Sequence, residues 1–184
     1  MILPGILSSQ ISGHLYTLTG SYDALATVTV PSGGASSIVF SGIPQTGYKH
    51  LQIRAFTSAT SGSNDIDVVF NGDTSANYAS HRLYGTGSSV VSYGAGSLSN
   101  VAFVGRSGTS SYFGGMIVDI LDYANTNKYK TTRSLTGEDE NSQGIIMLTS
   151  GLWQSTSAIN SIKIEPQSGN SFNQYSSFAL YGIK

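Results

Sequence analysis

The 184-residue chain contains no cysteine, which excludes disulfide bridges and thiolate metal sites. Charged residues make up only 10% of it, against roughly 25% in an average soluble protein. Its polar surface must therefore come mainly from Ser, Thr, Asn, Gln and Gly. Such an uncharged surface favours packing against other protein, or sugar binding, over charge-driven chemistry.

The charge and hydropathy patterns favour neither nucleic acid nor a membrane as a partner. The nine basic residues are scattered and the net charge is −1, whereas nucleic-acid binding needs clustered Lys and Arg. No run approaches the ~18 apolar residues of a membrane span. The apolar start of the chain lacks a basic region and is interrupted by Pro4 and Gly5, so we predict no signal peptide.

Short alternating apolar and polar runs dominate the chain, separated by Gly, Ser, Asn and Asp. This pattern is typical of strands and turns. About ten such strands predict an all-β fold, either a sandwich or a barrel. Two stretches break the pattern: residues 73–84 are weakly helix-like, and the Gly-rich residues 85–96 are predicted to be a mobile loop.

The first residues stand apart from the predicted domain, which covers residues 21–184. Residues 1–20 form an apolar arm that carries Ile2, Leu3, Ile6, Leu7, Ile11 and Leu15. An exposed arm this apolar must dock on something. Two alternatives are open: it anchors the protein to a partner subunit, or it folds back along its own sheet.

The sequence presents no catalytic set, no metal site and no cofactor motif. His14, His50 and His81 lack the spacings of paired metal ligands. Asp65 and Asp67 alternate with Ile66 on a predicted strand, which favours a solvent-facing pair over a calcium loop.

Among the carboxylates, only Asp119 lies in an apolar strand. A buried carboxylate of this kind could be catalytic. A structural interpretation is preferred, in which Asp119 bonds to Arg54 or Arg133 on a neighbouring strand.

Tyrosine, with 11 copies, is the most frequent aromatic residue. Tyrosines near turns can bind sugars or partners through a flat apolar face and a polar tip. Residues that would line such a recognition groove are Tyr78, His81, Arg82 and Tyr84. Most tyrosines are also explained by positions at sheet edges.

Five segments resemble a group of tailed-bacteriophage virion proteins, of the kind found in marine and cyanobacterial phages and known as structural or tail-fibre-like proteins. The segments are DALATVTV (23–30), IPQTGYKHLQIR (43–54), FNGD (70–73), DILDYANTNK (119–128) and QYSSFALYGI (174–183). They span most of the chain but contain no catalytic motif.

The resemblance implies an antiparallel, jelly-roll-like β-sandwich displayed on a virion, usually as a symmetric oligomer, with a homotrimer favoured. It suggests a non-catalytic capsid decoration (cement) protein, whose arm docks on the major capsid protein or another virion protein. The alternative is a tail-fibre or receptor-binding module that recognises host surface glycans. A depolymerase is the least favoured function.

Overall fold

In the computed structural model of the chain, the structure describes residues 20–60, 64–109, 111–141 and 143–184. These residues form twelve strands and no helix, so the all-β prediction is confirmed. None of the described elements is a helix that could cross a membrane. The six aliphatic residues of the predicted arm lie outside the described residues.

The strands follow one another with short connections. Their bounds are β1 Tyr22–Thr29, β2 Ile38–Ser41, β3 His50–Ala59, β4 Asn64–Phe70, β5 Tyr78–Gly85, β6 Val90–Leu98, β7 Val101–Thr109, β8 Gly114–Leu121, β9 Lys130–Asp139, β10 Gly144–Trp153, β11 Ser161–Pro166 and β12 Ser177–Ile183.

The strands form two layers. The larger sheet has the order β1-β12-β3-β8-β9-β10-β5-β6, and the smaller has the order β2-β11-β4-β7. Pairing is antiparallel except for a two-residue parallel contact, where Ser58 and Ala59 of β3 meet Gly108 and Thr109 of β7. This contact joins the two sheets, and β7 then lies against β8, β9, β10 and β5 of the larger sheet.

An aromatic cluster in the core is anchored by one carboxylate. The Trp153 ring lies 5.6 Å from the Phe70 ring and 6.1 Å from the Tyr78 ring. Trp153 donates its indole N–H to Oδ2 of Asp73 at 2.8 Å, and the Tyr78 hydroxyl donates to the Asp73 carbonyl at 2.9 Å. The cluster ties β4, β5 and β10 to the turn after β4.

Hydroxyl groups of the larger sheet satisfy the backbone of β7. Ser80 accepts the Ala102 N–H at 3.0 Å, and Thr149 donates to the Phe103 carbonyl at 2.6 Å. Buried backbone groups need such partners. The polar residues on the inner side of β5 and β10 therefore replace a missing strand partner for β7.

Two predictions about local structure are wrong. The predicted loop at 85–96 contains most of β6, and the weakly helix-like window at 73–84 contains most of β5. Because β6 is an edge strand whose residues are mostly exposed on both faces, it has no alternating pattern to reveal it. The pairing with β5 decides its structure.

The expectation that Asp65 and Asp67 face solvent is also wrong. Asp67 is 6% exposed and accepts hydrogen bonds from the Phe103 N–H and from Gln167. Asp65 forms ion pairs with Arg82 and Arg106, at 2.9 and 3.1 Å. Both carboxylates are buried by neighbouring strands that the alternation along β4 could not reveal.

Candidate docking face

Four aliphatic side chains lie side by side on the outward surface of the larger sheet. We call this surface, formed by β8, β9, β10 and β5, the outer face. Ile117 is opposite Leu135, Leu135 is opposite Leu148, and Leu148 is opposite Leu83. Each of the four side chains in this aliphatic row is between 41% and 55% exposed. A contiguous apolar patch of this kind marks an interaction surface.

A second row runs beside the aliphatic row, two residues away along each strand. It consists of Gly115, Gly137, Ile146 and Gly85, which are also in direct register. We call it the glycine row. Because three of its four members lack a side chain, the outer face has a furrow next to its ridge of aliphatic side chains.

Among the residues that the structure describes, none gives a steric reason for the glycines of this row. A Cβ atom on Gly115 would meet nothing within 4 Å, and one on Gly137 would lie 3.8 Å from its nearest neighbour, the Ile145 carbonyl. Glycine in a strand interior costs roughly 0.5–1 kcal/mol relative to Ala. Such positions are often where another molecule approaches the backbone closely.

A polar row borders the aliphatic row on its other side and consists of Asp119, Arg133, Ser150 and His81. Arg133 donates its Nε to Asp119 at 2.9 Å, and Gln52 donates to the other carboxylate oxygen at 2.7 Å. The predicted bond between Asp119 and an arginine of a neighbouring strand is present, with Arg133 as the partner, on a carboxylate that is partly exposed rather than buried. The aliphatic and polar rows line a groove of about 580 Å³.

The inward side of β9 is polar, unlike that of an ordinary sandwich strand. Its inward residues are Lys130, Thr132, Ser134, Thr136 and Glu138, all buried. Antiparallel sheets with one solvated face normally place apolar residues inward. These polar residues are partly explained, since Thr136 accepts a backbone N–H of β7. On the outward side, Leu135 is 47% exposed and is the single aliphatic residue of the strand.

Lys130 is fully buried and is stabilised by carbonyl oxygens. Its Nζ donates to the carbonyls of Asn125, Lys128 and Thr156, at 2.6, 3.0 and 3.2 Å. Burial lowers the pKa of this amine below its usual value. Three acceptors match its three donors, so the residue fixes the turn between β8 and β9.

A buried charge cluster lies where β5 meets β4 and β7. The Arg82 guanidinium lies 3.9 Å from the centre of the Phe103 ring while it pairs with Asp65. Burial raises the pKa of nearby Asp67 to about 6, although hydrogen bonds from Gln167 and the Phe103 backbone partly oppose that shift. The cluster ties the two sheets together.

The four residues predicted to form a recognition groove do not share a surface. Tyr78 is fully buried in the aromatic cluster, which corrects its assignment as a surface contact. Arg82 and Tyr84 lie on the same side of β5 as Tyr78, with the Arg82 guanidinium 4.9 Å from the Tyr84 ring centre. His81 and Arg82 both line the groove of the outer face, although the Arg82 guanidinium pairs with Asp65.

Histidine and carboxylate side chains do not assemble into a metal site in the part of the chain that the structure describes. His50 accepts the Asp122 N–H at 2.9 Å through Nδ1, which gives it a structural role at the turn after β8. His81 lies on the outer face, and His14 is outside the described residues.

Sequence reasoning missed the aliphatic row itself. Part of its signal was present in β9, where Leu135 lies between Ser134 and Thr136, but alternation alone does not say which side faces the core. The register between strands, which places the four residues in one line, depends on long-range pairing.

Neither the protein-family models nor the curated proteins compared with this chain give a match.

Proposed function

We propose that this protein is a non-catalytic structural component of a phage virion, most specifically a capsid decoration protein. The outer face carries the proposal: an aliphatic ridge beside a glycine furrow, exposed on a sheet whose inward side is partly polar. A protein that works as part of an assembly has a physical reason to keep such a face, because a partner covers it.

Two features of the sequence support the virion as the place of that assembly. Segments spread over most of the chain resemble tailed-phage virion proteins. The low charge of the chain, 10% of its residues, also suits static packing between proteins. In the proposed role the apolar arm, residues 1–18, docks on the major capsid protein or another virion protein, while the outer face contacts a neighbour within the assembly.

The glycan-binding alternative is not developed further. It depended on Tyr78, His81, Arg82 and Tyr84 acting together, and the fold separates them between the core, the charge cluster and the outer face. No other observation in the described residues favours that role.

The experiment that tests the proposal is incorporation of tagged variants into phage particles. We expect deletion of residues 1–18 to abolish incorporation while the far-ultraviolet circular dichroism spectrum of the purified domain stays that of a β protein. Hundreds of copies of the full chain in each particle would support decoration. Normal incorporation of the truncated chain, or a particle that lacks the protein altogether, would contradict the proposal.

A further inference from the structure

The outer face has a pattern that complements itself. On three of its four strands, the aliphatic row contributes one aliphatic residue and the glycine row contributes one glycine. The two residues are two positions apart in the sequence and lie on the same side of the strand. The pairs are Ile117 with Gly115, Leu135 with Gly137, and Leu83 with Gly85. The fourth strand carries Leu148 with Ile146, so it offers two aliphatic residues.

From this pattern we infer that the outer face binds the outer face of a second copy of the chain across a two-fold axis. The axis runs parallel to the two rows and lies between them. A rotation about it places the aliphatic residues of β8, β9 and β5 over the glycines of the same strands in the other copy, and Leu148 of β10 over Ile146. A two-fold contact uses the same patch on both partners, and sheets that pack face to face lie about 10 Å apart.

Charge complementarity along β9 supports the same axis. The outward residues of this strand are, in order, Arg133, Leu135, Gly137 and Asp139. The rotation that places Leu135 over Gly137 of the second copy also places Arg133 over Asp139 of the second copy. Both charged residues are exposed, and opposite charges facing each other fix the register of an interface.

Within the described residues, nothing packs against Gly115 or Gly137 closely enough to require glycine there, which favours a second chain as the cause. A Cβ atom would fit at Gly115 and Gly137 with no close neighbour, and neither residue has the positive φ that favours glycine. In the two-fold contact the furrow receives the aliphatic side chains of the partner. The glycines then have a reason to lack side chains.

This inference names a second copy of the chain as the partner of the outer face. It rests on the proposed function only for the place where the contact would form, which is the virion. The solution contact would exist whether or not the protein is part of a virion. Failure of incorporation into particles therefore contradicts the proposed function and leaves the two-fold contact standing. A full chain that stays monomeric contradicts the contact and leaves the virion role standing.

The test is sedimentation velocity of the full chain over a wide concentration range. We expect a reversible dimer, and we expect Gly137→Val to weaken it at least tenfold because the added side chain fills the furrow. The matched control is Gly96→Val on β6, another site where a Cβ atom would meet nothing within 4 Å. This control should leave the dimer unchanged. Circular dichroism of both variants checks that they fold.

A charge reversal tests the register. Asp139→Arg should weaken the dimer several-fold because it faces Arg133 of the second copy, whereas Asp139→Asn should weaken it less. Arg133 is left unchanged because it also bonds Asp119 within the chain. The inference is overturned if the wild-type chain is monomeric at every concentration, or if its oligomer is indifferent to Gly137→Val. Equal weakening by Gly96→Val, or no effect of Asp139→Arg, would also overturn it.

Discussion

The Thr136 hydroxyl accepts the backbone N–H of Arg106 at 3.1 Å and donates to the Gly115 carbonyl at 3.0 Å. A side chain of β9 thus accepts a backbone N–H of β7. This relationship explains one of the polar residues on the inward side of β9. The outward aliphatic row, by contrast, has no such partner among the described residues.

Replacement of Thr136 by Val keeps the shape of the side chain but removes both hydrogen bonds. A buried backbone group left without a partner costs about 1–3 kcal/mol, so we expect the free energy of unfolding to fall by that amount. Urea unfolding followed by the fluorescence of Trp153 measures it. Thr131→Val, on the exposed side of the same strand, is the control and should change stability by less than about 0.5 kcal/mol.

Lys130→Met should destabilise the protein because the carbonyls of Asn125, Lys128 and Thr156 lose their shared donor. We expect a loss of about 2 kcal/mol, since burial of the methionine side chain offsets part of the cost of the unsatisfied groups. Lys49→Met replaces an exposed lysine and should have little effect. Equal unfolding free energies for the two variants would show that the carbonyls do not depend on Lys130.

Asp73 accepts hydrogen bonds from the Asn77 amide, the Ser75 N–H and the Trp153 indole, and these bonds hold the pKa of its carboxyl well below the usual value. A depressed pKa in the folded state contributes stability above about pH 4 that is lost as the pH falls further. We expect Asp73→Ala to cost about 3 kcal/mol at pH 7. Asp73→Asn keeps an acceptor and should cost clearly less in the same unfolding assay.

The contribution of Asp67 to the free energy of unfolding should change with pH in the opposite direction to that of Asp73. Burial raises its pKa in the folded state from 3.8 to about 6, so its contribution to stability is fully present below about pH 4 and is lost as the pH rises through 6. The shift corresponds to about 3 kcal/mol. Relative to Asp67→Asn, the wild-type protein should therefore gain stability between pH 7 and pH 4. Parallel unfolding curves for the two proteins across that range would contradict this account.

The sequence predicts much of the fold through its alternation. Ile53 and Leu51 on β3, and Val118 and Ile120 on β8, alternate with polar or exposed positions, and all four are buried as expected. Alternation fails where burial comes from a distant strand. Asp67 on β4 and Tyr78 on β5 are polar or amphipathic residues whose surroundings are set by Phe103 and Trp153, far away in the chain.

The candidate site could be predicted only in part, for the same reason. The pairing of Asp119 with Arg133 follows from two charges on neighbouring strands. The line from Ile117 to Leu83 requires the register of four strands, which no local pattern contains. The reason for the polar inward side of β9 becomes visible only once β7 is seen against it.

The most direct test of the outer face as a docking surface is the reactivity of a single introduced thiol. The chain has no cysteine of its own, so Ser150→Cys in the polar row and Val39→Cys on the smaller sheet each give one defined probe. Maleimide labelling is timed in dilute protein, in concentrated protein and in phage particles. We predict that the thiol at position 150 is labelled at least tenfold more slowly in concentrated protein, in phage particles or in both than in dilute protein. The thiol at position 39 should be labelled at the same rate in dilute and in concentrated protein. Equal labelling rates for position 150 in all three states would contradict the account.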